Sequence, residues 1–134
     1  MKPFNLEIIT PSKTAFTGEV NSVNLPGVLG EFQVLYNHAP MMSSLEIGKI
    51  RLVDAAGNEV LFATSGGVAE VLKNKVLVLS NAVETPAEID AARAEQAAER
   101  AKERLQQRSN PDIDISRAEI ALARALNRIK ISKM

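Results

Sequence analysis

Residues 85–100, TPAEIDAARAEQAAER, decide how this chain divides. Upstream lie all seven glycines, from Gly18 to Gly67, and every aromatic: Phe4, Phe16, Phe32, Tyr36 and Phe62. Downstream the chain is mostly Ala, Glu, Arg, Leu, Ile and Gln. Turn residues and β-formers give way to helix formers at Thr85-Pro86. The fold class that follows is α+β: an N-terminal antiparallel β-sandwich over residues 1–85, then a C-terminal antiparallel α-helical hairpin over residues 86–134.

The quoted stretch opens with its own start signal. Thr85 as N-cap, Pro86 at the first helical position and Glu88 closing a capping box predict a helix that runs to about Gln107. RSNPD (108–112) breaks it. Asn110 or Asp114 caps a second helix, to about Ile129, and a break this short implies an antiparallel hairpin. The second helix carries Ile115, Leu122, Leu126 and Ile129 as an apolar stripe. The first has only Ile89 and Leu105 as large apolar residues; its other inner positions are alanines, including Ala94, Ala97, Ala98 and Ala101. Burying alanine contributes far less than the ~1.5–3 kcal/mol of a buried Leu or Ile. The expectation is a pair of strongly helical segments, weakly docked and suited to moving as a unit.

Upstream, FNLEI (4–8) alternates Phe4, Leu6 and Ile8 with polar residues, the period of a half-buried strand. GKIRLVD and NEVLFAT flank a hairpin turn at Gly57, and SGGVAEVLKNKVLVLSNAV reads as two strands joined at Lys73-Asn74. KVLVLS is continuously apolar, which predicts a strand buried on both faces. GVLGEFQVLYNHAP (27–40) is a glycine-bounded loop, either a turn or a contact surface, with its tip at Tyr36-Asn37-His38.

Composition removes several functions. Net charge is zero, so a basic footprint for nucleic acid is missing. Without cysteine there is no disulfide or zinc-thiolate chemistry. MKPFNLEIIT has neither an apolar leader nor an Arg/Ser-rich one, and no apolar run approaches the ~20 residues that span a bilayer. A soluble, cytoplasmic protein is expected. His38 is the sole histidine, no carboxylate pair has acid/base spacing, and SGG (65–67) lacks the Lys-Ser/Thr of a phosphate loop. A catalytic role is not expected.

Arginines form the remaining pattern. Arg93, Arg100 and Arg104 share one face of the first helix with Ala97; Arg117, Arg124 and Arg128 share one face of the second with Ala121. A hairpin turning near residue 109 brings Arg93 towards Arg124 and Arg128, with Arg100 about 10 Å along the axis from Arg93. Asp90, one turn before Arg93, is placed to pair with it. These are either solvated charges in i, i+3/i+4 pairs or an anion site, since guanidinium forks suit phosphate oxygens.

GEFQVLYNHAP (30–40), SGGVAEVLKNKVLVL (65–79), EIDAARA (88–94) and DIDISRAEIALARALNRI (112–129) together resemble the epsilon subunit of the bacterial rotary ATP synthase, over nearly the whole chain. The resemblance implies a β-sandwich of about ten strands followed by a helical hairpin. It implies a non-catalytic place in the central stalk of a proton- or sodium-translocating enzyme, peripheral to the cytoplasmic face of the bacterial inner membrane. The partners implied are the gamma subunit, the c-ring and the alpha/beta catalytic head. The hairpin is implied to block ATP hydrolysis when extended and to permit turnover when folded down. No catalytic cofactor is implied, but ATP is, as a regulatory ligand. The family's I/L-D-x-x-R-A motif stands here as Ile89, Asp90, Arg93 and Ala94, and its further ligand positions as Glu84, Arg100, Arg124 and Arg128. By resemblance the four arginines take the triphosphate, while Glu84 and Asp90 contact the base side or orient them. Glu31 and His38 match positions on the c-ring side. Gln33 stands where a glycine is common, and Tyr36-Asn37 where Pro-Gly is common. A stand-alone nucleotide-sensing or scaffold module is the alternative.

Overall fold

A computed structural model describes residues 2–134. The chain divides after Thr85 into two compact units. The first holds nine strands among the described residues: β1 (Phe4–Ile9), β2 (Thr14–Gly27), β3 (Gly30–Val34), β4 (Met41–Leu45), β5 (Gly48–Asp54), β6 (Glu59–Thr64), β7 (Gly67–Leu72), β8 (Lys75–Ser80) and β9 (Val83–Glu84). They run in the order β1-β8-β7-β4-β2-β5-β6-β9, with β3 on β2, and β1 also pairs with β2. Long β2 makes the closure possible. Its first half pairs with β1, and its second half lies between β3 and β5. One strand thus serves both layers of the sandwich. The pairing is antiparallel throughout except β1–β8, which is parallel.

The alternation in β1 buries Phe4, Leu6 and Ile8. They meet Val20, Val23 and Leu25 from β2, Ile50 and Leu52 from β5, and Val76 and Val78 from β8 in one apolar core. Both expected hairpins form. Asp54 Oδ1 accepts from the Ala56 and Asn58 N–H groups at 3.0 and 2.8 Å, closing the β5–β6 turn. Lys73 and Asn74 sit at φ 50° and 58°, the left-handed pair that a two-residue hairpin of matching twist requires.

SGG is a sharp turn into β7. A Cβ on Gly67 would lie 1.9 Å from the Leu79 carbonyl oxygen, so only glycine admits this approach of β7 to β8. Buried hydroxyls fix the turn. Ser80 Oγ donates to the Gly66 carbonyl at 2.6 Å, and the Gly66 N–H donates to Thr64 Oγ1 at 3.2 Å. Thr64 Oγ1 and Ser80 Oγ lie 2.9 Å apart. Because the Ser80 proton is committed to a carbonyl, Thr64 is the donor between the two.

β8 departs from expectation. Val76 and Val78 are buried, but Leu79 is 48% exposed. The continuous apolar run is therefore one core face and one open face, not a strand covered on both sides.

The second unit begins with a 3₁₀ turn, Pro86–Glu88, followed by α1 (Ala91–Gln106) and α2 (Ile115–Ser132). The α-helix thus starts later than the Thr85 signal predicts. Asp90 is its N-cap and accepts from the Arg93 N–H at 3.1 Å. Asp114 caps α2 in the same way, from the Arg117 N–H at 3.1 Å. Asn110 instead shapes the linker: its Oδ1 accepts from the Asp112 N–H at 3.0 Å, and Pro111 follows it. α1 and α2 pack along each other. The buried residues are Ala94, Ala98 and Ala101 on α1, and Ala118, Ala125 and Ile131 on α2. Ala94 and Ala101 are one heptad apart, as are Ala118 and Ala125, so a seam of small residues runs along both helices. The large apolar stripe expected on α2 is only partly realised, for Leu126 is 46% exposed. No helix among the described residues is long and apolar enough to cross a membrane.

Candidate functional site

The arginines come from α1 and α2. Arg93, Arg100 and Arg124 are exposed, and Arg128 is half-buried. Among the described residues, no side-chain hydrogen bond or ion pair occupies the guanidinium groups of Arg93, Arg100 or Arg124. The i, i+3 ion pair on α1 is Lys102–Glu99, at 3.7 Å. Asp90 does not pair with the Arg93 guanidinium. Its carboxylate takes the Arg93 backbone N–H, so it sets where Arg93 stands rather than neutralising it. Ile89 and Ala94 are buried on either side of this cap. Glu84 belongs to the other unit, on β9 opposite Ala63, and is half-buried.

Glu31 and His38 lie on the 27–40 segment. Glu31 is on β3, where its Oε1 accepts from Asn24 Nδ2 at 3.2 Å. Gln33, two residues on and on the same face, donates from Nε2 to Asn24 Oδ1 at 3.2 Å. His38 Nδ1 is 2.7 Å from the Ala39 carbonyl, which only accepts, so Nδ1 is the donor. Asn37 takes φ 62°, the left-handed geometry a glycine would supply there. Its N–H donates to Asn74 Oδ1 at 2.7 Å, tying the segment to the β7–β8 turn. Lys2 Nζ sits 5.3 Å from the Tyr36 ring centroid.

Arg51 on β5 pairs in register with Asn24 on β2. It donates to Glu59 Oε2 at 2.6 Å. That hydrogen bond, with the attraction between the charges, raises the Arg51 pKa and lowers that of Glu59.

Sequence reasoning missed a further surface. On the outer face of β1, β8, β7 and β4, Leu79 sits beside Ile9 and Val68 in register, and Met42 lies opposite Glu70. Met42 is 69% exposed, and Val68, Leu72 and Leu79 are also open. A shallow apolar hollow lies among Ile9, Pro11, Val68 and Leu79. Its signal is the apolar run of KVLVLS, one face of which lies open rather than buried. Among the described residues no cluster of His, Asp or Glu could hold a metal ion.

Residues 3–86 match the ATP synthase, Delta/Epsilon chain, beta-sandwich domain, and residues 87–133 match the long alpha-helix domain of the same chain. The ATP synthase epsilon chain of Desulforamulus reducens is 40% identical over 132 residues, 98% of each chain. That of Desulfitobacterium hafniense is 44% identical over 130 residues, 97% of this chain and 96% of the relative. In fold, the chain resembles one from the Euglena gracilis mitochondrial ATP synthase (OSCP/F1/c-ring), with TM-score 0.80 and 22% identity over 90% of this chain and 76% of that one. It also resembles one from the Tetrahymena thermophila mitochondrial ATP synthase central stalk and c-ring, with TM-score 0.63 and 12% identity over 96% and 92% of the two. The chain therefore belongs to the ATP synthase delta/epsilon chain family, as an epsilon chain.

Proposed function

We propose that this chain is a non-catalytic coupling and regulatory subunit of the ATP synthase central stalk, seated between the gamma subunit and the c-ring at the cytoplasmic face of the membrane. Its hairpin is an ATP-sensitive arm that limits hydrolysis when it extends towards the alpha/beta head. The observation that carries the regulatory part is the hairpin itself. Arg93, Arg100 and Arg124 stand without ion-pair partners among the described residues, on helices whose buried contacts are almost all alanine. Guanidinium groups without a counter-charge suit an anion, and a triphosphate supplies one. In this reading Arg93, Arg100, Arg124 and Arg128 take the phosphates, while Asp90 fixes the first turn. An alanine seam contributes little burial energy to the packing of α1 on α2, so a ligand worth a few kcal/mol held by arginines of both helices adds substantially to the stability of the hairpin.

Glu31 and His38 face the c-ring in this reading. The open apolar face around Leu79 favours a subunit over a stand-alone module, since a contiguous apolar patch asks for a partner. The test is ATP titration of the full-length chain, with calorimetry for binding and a label pair on the sandwich and α2 for the arm. The expected result is binding of ATP in preference to ADP, with a change in label distance. No binding at millimolar ATP defeats the sensor reading and leaves the stalk reading intact.

A further inference from the structure

We propose that the root of the arm is locked into the sandwich by a buried cycle of hydroxyls and stopped by Pro86, so that the arm pivots at Thr85-Pro86 and nowhere upstream. The pivot rests on the reading above, that the hairpin moves. The lock itself lies wholly within the first unit.

β9 needs a lock because it is only two residues long. That is shorter than the roughly 3–10 residues usual for a strand. Val83 contributes a buried side chain to the core. Hydroxyls supply the rest. The Gly66 N–H donates to Thr64 Oγ1, the Thr64 hydroxyl to Ser80 Oγ, and the Ser80 hydroxyl back to the Gly66 carbonyl, at 3.2, 2.9 and 2.6 Å. The cycle opens and closes on one residue, and every donor points the same way round, so each bond polarises the next. Thr64 and Ser80 are buried, where no water replaces a lost partner. A branch grips β9. Ser80 Oγ also lies 3.1 Å from the Ala82 carbonyl, which accepts from the Ser65 N–H at 3.1 Å as well. Thr64 meanwhile stands opposite Val83 in register.

The ladder also has a built-in end. Bonded and non-bonded pairs alternate along antiparallel strands. With Ser65 bonded to Ala82, the pair of Ala63 and Glu84 is the next bonded one, and the rung after it would join Leu61 to residue 86. Proline has no N–H to give that rung. Pro86 also keeps Thr85 out of the helical region. The chain turns at Pro86 into the 3₁₀ segment instead. β9 is thus held at Ala82 and barred from growing at Pro86. Motion of the arm becomes rotation about Thr85-Pro86, with neither peeling nor zipping of β9.

The test is hydrogen exchange by NMR on the full-length chain, read at the Ser65 and Glu84 amides, beside the label pair on the sandwich and α2. In the wild type, ATP changes the label distance and leaves the Ser65 exchange rate unaltered. Thr64→Val keeps the side-chain shape and removes the hydroxyl. It speeds exchange at Ser65 and Glu84 about tenfold or more, while amides of β1 and β5 hold their rates. Thr64→Ser keeps exchange slow. Ser65→Ala is the control, since Ser65 Oγ is shielded from solvent and has no hydrogen-bond partner among the described residues, so its loss changes nothing. Pro86→Ala supplies the missing donor, and the amide of residue 86 becomes protected. Melting curves confirm that each variant folds. Exchange in Thr64→Val equal to that of the wild type, or to that of an accelerated Ser65→Ala, overturns the lock. An unprotected residue 86 amide in Pro86→Ala overturns the stop. ATP-dependent exchange at Ser65 in the wild type shows the root moving with the arm and overturns the pivot. A label distance indifferent to ATP overturns the ATP-driven arm instead, and the variant exchange rates still decide the lock and the stop.

Discussion

Asn37 and Asn74 bind each other reciprocally. The Asn37 N–H donates to Asn74 Oδ1 at 2.7 Å, and Asn74 Nδ2 donates back to Asn37 Oδ1 at 3.2 Å. Both residues are left-handed, at φ 62° and 58°. A left-handed position is thus filled by the non-glycine residue type best able to keep that backbone and add a side-chain tie. Asn37→Gly keeps the backbone and loses one bond, so it costs little in urea melts. Asn37→Val has no low-energy left-handed state and costs about 1 kcal/mol or more, from backbone strain. Equal midpoints for the two variants would show that the left-handed geometry is irrelevant.

The alanine seam tolerates no enlargement. Ala101→Leu inserts three carbons between α1 and α2 and destabilises their packing by about 1–3 kcal/mol. Hydrogen exchange on residues 91–132 should accelerate while the sandwich amides hold their rates. Leu126→Ala, on the open side, shifts stability by no more than about 0.5 kcal/mol.

Asp90 and Arg93 separate structure from charge. Asp90→Ala removes the cap of α1 and costs about 1 kcal/mol of helix stability. Asp90→Asn preserves it, because an asparagine side chain also accepts from the Arg93 N–H. Arg93→Ala leaves helicity nearly unchanged and abolishes most ATP affinity. If Asp90→Asn weakens ATP binding as much as Arg93→Ala does, Asp90 touches the ligand and its role is not confined to capping.

The Arg51–Glu59 pair titrates with a definite sign. The hydrogen bond from Arg51 holds the Glu59 carboxyl below its ordinary value. Its folded pKa is therefore lower than its unfolded one. The stability it contributes is present above the unfolded value and is lost as pH falls through the folded one. Both groups are exposed, so the effect is small. Carbon-detected NMR titration should place Glu59 lower in the wild type than in Arg51→Ala, and identical curves would remove the pair from consideration.

The open apolar sheet face should matter to assembly and not to folding. Leu79→Ser with Val68→Ser leaves the melting temperature within about 2–4 °C. The pair should reduce recovery of the chain with the enzyme complex in pull-downs from cells. Undiminished recovery would assign partner contact to other surfaces.

Much of this protein is legible locally. Phe4, Leu6 and Ile8 announce β1 because alternation and burial share a period of two. Gly57 and Lys73-Asn74 announce their hairpins through backbone chemistry. The helix start is different. Thr85 and Asp90 both satisfy the rules for a cap, and only the complete fold selects Asp90. The hydrophobicity of Leu126 points to burial, yet the helix turns Ala125 inward because two closely packed helices favour small residues.

The sequence by itself determined the division at Thr85-Pro86, the two fold types and the inventory of arginines, because propensity and periodicity act within a few residues. Only the tertiary structure decided which apolar face of β8 stays open. It also decided that Asp90 spends its carboxylate on a backbone N–H, and that Asn24 and Gln33 hold Glu31. Those outcomes depend on which neighbours arrive from distant parts of the chain, and a local pattern carries no record of them.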